Sequence, residues 1–205
     1  MKLNKVFFAL LGLGVFLMSG CTVKLPITNQ YKLSAYSTQS LSRHFTRQSI
    51  LISPPEAVAG YQTSQMLYTN KPFEIAPFAH SGWLNPPADM LLPLIAQSIQ
   101  RTEYFYAVAS TTNYEHTDFR LDTQLMELQQ NFLVKPSQVD FITKIVLTRV
   151  SDNQVIASQL MSYHLPCPSD TPYGGVIAAN QAVKLFTADV SSFIVKRIQE
   201  ATAQS

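Results

Sequence analysis

Cysteine is nearly absent from this 205-residue chain, which carries only Cys21 and Cys167. No paired-cysteine metal site can be built from them, and Cys167, flanked by Pro166 and Pro168, lacks a second nearby cysteine or a supporting histidine. Charge is also sparse, at 14% of residues, and no basic cluster marks a nucleic-acid surface. The enzyme signatures are missing too: no Gly-x-Ser-x-Gly, no His-Glu-x-x-His and no phosphate-binding glycine-rich loop. The four histidines, His44, His80, His116 and His164, fall in separate segments without ligand spacing, and read as surface or loop residues. Asp118 and Asp122 share one face of an expected strand, where four residues span about 13 Å. Paired carboxylates that cleave sugars stand roughly 5–9.5 Å apart, so these two read as structural charges. Neither an enzyme nor a cofactor is expected.

What is present begins at the N-terminus. Lys2 and Lys5 precede an apolar run from Val6 to Met18, then Ser19, Gly20 and Cys21. A basic start, a short apolar stretch and small residues before a cut site make a secretory signal, too short to span a bilayer comfortably. The cysteine directly after Ser19-Gly20 resembles the lipobox of bacterial lipoproteins, with Met18 standing where leucine is commoner. That resemblance implies cleavage before Cys21 and acylation of it, with residues 1–20 as signal peptide and 21–30 as a lipidated tether. Several acyl chains at about 0.8 kcal/mol per buried CH₂ hold a protein in a bilayer. Thr22 is not the aspartate that typically retains such proteins in the inner membrane. The expected location is therefore the periplasmic face of a Gram-negative outer membrane. Losing Lys2 and Lys5 lowers fifteen basic residues to thirteen, against thirteen acidic ones, so the mature chain is near neutral.

Residues 31–201 suit one domain large enough to bury its own core. Residues 31–35, 49–53, 65–69 and 72–76 alternate or cluster apolar residues as strands do, the last two forming a hairpin around Asn70-Lys71. Gly82-Trp83 reads as a loop. Met90, Leu91, Leu94, Ile95 and Ile99 then fall on one helical stripe. Either Asp89 caps this helix and Pro93 lies in or near its first turn, or the helix starts at Pro87 and Pro93 kinks it. Residues 104–109 are β-prone. Three long strands are expected next. Residues 118–132 change phase near Met126, as at a bulge or an edge leaving the core. Residues 139–150 are apolar on both faces, which marks a central strand or one backed by a helix. Residues 155–165 return after a turn at Asp152-Asn153. A loop over 169–175 leads to a final helix over 176–201, with Ala182, Leu185, Phe186, Val190, Phe193, Ile194 and Ile198 inward. The fold class is α+β: a mostly antiparallel sheet with two main helices on one face, behind a lipoprotein signal peptide.

Beyond the lipidation site Cys21, six residues are candidates for contact with a partner or with lipid: Trp83, Gln129, Gln130, Tyr173, Gly174 and Gly175. Tyr173-Gly174-Gly175 before a helix can present N–H groups to a phosphate or lipid head group, although glycines there more simply let the chain turn. Trp83 is an interfacial anchor or, more commonly for a lone tryptophan beside a helix start, a core residue. The run Gln129 to Phe132 is either a partner-facing edge or a solvated strand end.

Several segments taken together resemble a known family. They are Met66-x-Tyr68; Trp83 with Pro86-Pro87 and Met90-Leu91; Arg120 to Thr123; Leu128 to Phe132; Pro172 to Val176; and Ala178-Ala179-Asn180. Their order and spacing are similar to the ABC-type transport auxiliary lipoproteins, related to paraquat-inducible lipoprotein C. The resemblance implies a non-catalytic outer-membrane component of a system that moves phospholipid or similar apolar molecules between membranes. It implies as partners a mammalian-cell-entry (MCE) domain protein and an ABC permease and ATPase complex, and assembly as a homo-oligomeric ring. Self-assembly through the edge of residues 118–132 is a further expectation. The alternative is a structural envelope lipoprotein without a transport role.

Overall fold

The structure, a computed structural model, describes residues 29–42, 45–110 and 117–203. The signal peptide, Cys21, His44 and His116 lie outside them. In chain order the elements are β1 (Asn29–Tyr31), β2 (Ser49–Ile52), β3 (Glu56–Ala57), β4 (Gln65–Lys71), β5 (Glu74–Trp83), α1 (Pro87–Arg101), β6 (Ala107–Ala109), β7 (Phe119–Asn131), β8 (Gln138–Arg149), β9 (Gln154–Pro166) and α2 (Pro172–Ala203).

The sheet is built on β7. One edge pairs antiparallel with β8 along its whole length, and β8 pairs antiparallel with β9. Along the other edge three short strands dock in succession, all parallel: β2 beside Phe119–Leu121, β3 beside Gln124–Leu125 and β4 beside Gln130–Asn131. β6 adds to β2, β5 to β4, and β1 to β5. The long pairings are antiparallel and the short ones mostly parallel. β7 is therefore central, and the expectation that it offers an edge for self-assembly is overturned: both its edges are occupied. Among the described residues, β9 pairs only with β8, β6 only with β2 and β1 only with β5.

The phase change in β7 is a bulge between Leu125 and Glu127. Phe119, Leu121 and Leu125 face inward before it and Leu128 after it. One extra residue lets the same face stay buried although the alternation breaks. On β8 the inward residues are Val139, Phe141, Ile145 and Leu147. Both helices cover this face. Phe186 of α2 meets Phe141 edge-on at 5.5 Å and Tyr163 of β9 at 6.4 Å. The helices touch through small polar residues, with Ser98 Oγ donating to the Thr187 carbonyl (2.9 Å) and lying 3.0 Å from Ser191 Oγ.

Several boundaries differ from expectation. α1 starts at Pro87, so Asp89 is a first-turn acid rather than a cap. Pro93 stands inside the helix on its exposed side, where water can satisfy the carbonyl that loses its partner. β1 falls at residues 29–31, earlier than the expected 31–35, and Gly82-Trp83 closes β5 instead of forming a loop. The hairpin turn sits at Pro72-Phe73, two residues late. Proline there presets the first central position and Phe73 takes φ 67, the combination a type II turn uses. α2 begins four residues early, and of its expected inward face Leu185 is exposed and Phe193 half-buried beneath the Arg197 guanidinium.

Candidate functional site

Three of the six contact candidates, Trp83, Gln130 and Gly175, converge on one junction between β4, β5, β7 and α2, and Gln129 borders it from the strand. Trp83, Gln129, Gln130 and Gly175, with Met66, Leu67, Leu128, Val139 and Ala179, line a cavity of about 10 Å³, room for a single water molecule. An acyl chain does not fit. Gln130 is 2% exposed and donates from Nε2 to Ser137 Oγ at 2.9 Å, while its Oε1 has no protein partner. Trp83 is buried and paired with Tyr31 across β1 and β5. The core reading of Trp83 holds. Gln129 points to the opposite face of the sheet, where its Oε1 accepts from the Tyr61 hydroxyl at 3.0 Å.

Tyr173, Gly174 and Gly175 form the first turn of α2 rather than a loop before it. Thr171 satisfies this turn: its Oγ1 accepts from Gly174 N (3.1 Å) and its carbonyl from Gly175 N (3.0 Å). Those N–H groups are not turned toward a phosphate. The glycines answer to crowding. A Cβ on Gly174 would collide with the Ser169 carbonyl, and one on Gly175 would lie 2.5 Å from Gln130 Oε1. Tyr173 is the exposed member of the set, its ring 6.0 Å from that of Tyr31.

The helix-free face carries the polar chemistry. Asp140 is buried there and accepts from Asn131 Nδ2 (2.9 Å) and Gln138 Nε2 (2.7 Å), with His164 Nδ1 at 2.7 Å. Glu127 lies near enough for burial, and then the Asp140 charge, to raise its carboxyl above the ordinary range. Burial, then Glu127 and Asp140, push the Tyr61 phenol up to about 12. Asp118 Oδ2 holds Ser49 N and Oγ at 2.7 Å each, and Asp122 takes Ser53 Oγ (2.6 Å) and Arg120 Nε (3.0 Å). Both aspartates thus pin β2 to β7 as structural charges. Cys167 is buried, and desolvation pushes its thiol up, away from the reactive thiolate.

Sequence reasoning missed Asn180. Its Oδ1 accepts from Ser34 N (2.8 Å) and Ala35 N (3.2 Å), and its Nδ2 donates to the carbonyls of Lys32 (3.2 Å) and Val176 (3.0 Å). A helical asparagine with its whole amide engaged clamps the start of the domain to α2. Its place in Ala178-Ala179-Asn180 gave the residue but not the role.

A sequence model of the ABC-type transport auxiliary lipoprotein component family matches residues 31–191, most of the chain. The chain belongs to that family. The clamp, the glycine turn and the Trp83 junction all lie inside the matched span. Among solved structures, protein XCC0632 from Xanthomonas campestris superposes with a TM-score of 0.77 at 18% identity, over 85% of this chain and 99% of that one. A second, described only as an uncharacterized protein, gives 0.66 at 12% identity, over 82% and 99%. Both establish the fold alone. No curated protein matches this chain. Among the described residues, no helix is long and apolar enough to cross a membrane, and no cluster of three or more acidic, histidine or cysteine side chains could hold a metal ion.

Proposed function

We propose that this protein is an outer-membrane lipoprotein, held on the periplasmic face through acylated Cys21, that serves as an auxiliary docking component of an intermembrane transport system built from an ABC transporter and an MCE-domain protein. Its part is non-catalytic, and the cargo of the system is phospholipid or a similar apolar molecule. The family match over residues 31–191, standing behind a lipobox-like leader, carries this reading. The domain geometry is compatible with it. Of the six candidates, Tyr173 is the one presented to a partner as an exposed aromatic, whereas Trp83, Gln130, Gly174 and Gly175 shape the scaffold behind it. Ring assembly, if built by strand pairing, would use the unpaired side of β9 rather than β7.

Native mass spectrometry of the acylated chain, released in detergent with and without an MCE-domain protein from the same organism, tests the proposal. A stable complex is the expected result, and phospholipid retained by the protein would place the domain on the lipid path. A chain that binds neither the MCE protein nor lipid, and instead co-purifies with peptidoglycan, would sink the transport role.

A further inference from the structure

Phe73 is fully exposed, and its φ of 67 is a conformation that bulky side chains avoid and glycine adopts freely. A turn that needs only a reversal of direction would be better served by glycine or asparagine. Here strain is accepted to hold an aromatic ring in water, at the tip of a two-stranded arm. β7 ends at Asn131 opposite Thr69, so β4 runs on past the end of its neighbour, and the Glu74 end of β5 extends with it. The arm is braced at its base by Tyr68, Phe78 and Phe132, whose rings lie 4.6–6.2 Å apart. Its tip is unsupported and apolar. Ile75 is 53% exposed, and the β7–β8 turn at the same end of the sheet adds Leu133 (48%) and Val134 (39%). Lys71 and Lys135 flank these residues, their exposed ammonium groups paired with Glu74 at 3.5 Å and Asp170 at 3.0 Å.

The position of the N-terminus says what covers this tip. β1 runs parallel to β5, with Asn29 opposite Ser81, so β1 starts at its end nearer the arm's tip. Cys21 stands eight residues before Asn29, and Phe73 stands eight residues before Ser81. An extended stretch of that length spans at most about 28 Å, enough to bring Cys21 level with Phe73 and little more. An acyl anchor on so short a leash therefore keeps the bilayer within reach of the tip. The geometry points to a membrane-contact site: Phe73, Ile75, Leu133 and Val134 enter the lipid interface beside the Cys21 acyl chains. The two lysines lie at head-group level, where apolar stems can bury and charged ends stay wet. The contact would fix the orientation of the domain on the membrane, which a lipid tether alone does not. It rests on acylation of Cys21, the anchor of the proposed function.

The test uses the full acylated protein in vesicles of phosphatidylethanolamine and phosphatidylglycerol. An environment-sensitive fluorophore is attached at Phe73→Cys, Val134→Cys or Val155→Cys, and quenching by doxyl-labelled lipid is read after flotation. Val155 is an exposed apolar residue near the opposite end of the sheet. Labels at 73 and 134 are expected to lose at least about half their emission, as interfacial side chains do, and the label at 155 almost none. Protein that floats with all three labels bright overturns the membrane contact and leaves the anchor standing. Floating protein with position 73 shielded from a water-soluble quencher but untouched by doxyl lipid also overturns it, and makes the tip a protein interface. Protein that fails to float overturns anchor and tip together.

Discussion

Gly175 has an ordinary helical backbone, so its missing side chain has to be explained by what lies across from it. That neighbour is Gln130 Oε1, buried on β7 and 2.5 Å from where a Cβ would stand. Gly175→Ala is expected to push the Gln130 amide aside and to cost about 1 kcal/mol, the low end for overpacking, since the crowding atom is the end of a flexible side chain. Urea denaturation would measure it, and the loss should shrink when Gln130→Ala is added, since the crowding partner is then gone. An equal loss in both backgrounds would mean that Gly175 is needed for another reason. The sequence makes Tyr173-Gly174-Gly175 conspicuous, but not this cause, because the crowding residue lies on a different element 45 positions earlier. Trp83 was legible as a core residue. Nothing in the sequence marks Phe73, since only its left-handed backbone separates it from any other turn residue.

At the level of elements, legibility followed length. β7, β8, β9 and both helices carry enough alternation or stripe to be recognised, and the bulge in β7 shows as a broken alternation at Met126. The short strands β3 and β6 have two and three residues, too few for any period, and the parallel docking of β2, β3 and β4 in line along β7 is set by tertiary contacts. The loop before α2 is another case of long-range control. Asp170 Oδ1 accepts from Ser137 N at 2.8 Å and its Oδ2 takes Lys135 Nζ at 3.0 Å, tying the β7–β8 turn to the start of the helix. These bonds, the Ser137 backbone N–H foremost, hold the carboxyl down at about 2. A carboxyl lower in the folded chain than in the unfolded one contributes stability above its unfolded value of about 3.9, and loses that contribution as pH falls toward 2. Asp170→Asn should therefore lower the urea midpoint at pH 7 and differ little from the parent near pH 2. A gap that persists undiminished at pH 2 would refute the ionic account.

For the whole molecule, the relation between tether and domain matters more than any pocket. Asn180 clamps residues 32–35 to α2, so the described domain is fixed from its start; under the proposed acylation of Cys21, the eight-residue stretch from that residue to Asn29 would set its height above a membrane. Confinement to a thin layer raises the concentration of the domain around any partner in that layer without adding a contact. Among the described residues, the buried core runs from Leu33 to Ile198. Cys21→Ala should leave thermal unfolding of the domain unchanged while releasing the protein from the membrane fraction and abolishing its contribution to transport. Measuring both in the same cells separates folding from location. A soluble variant that supported full transport would show that the anchor is dispensable, and would move the functional surface from the tip of the arm to the domain itself.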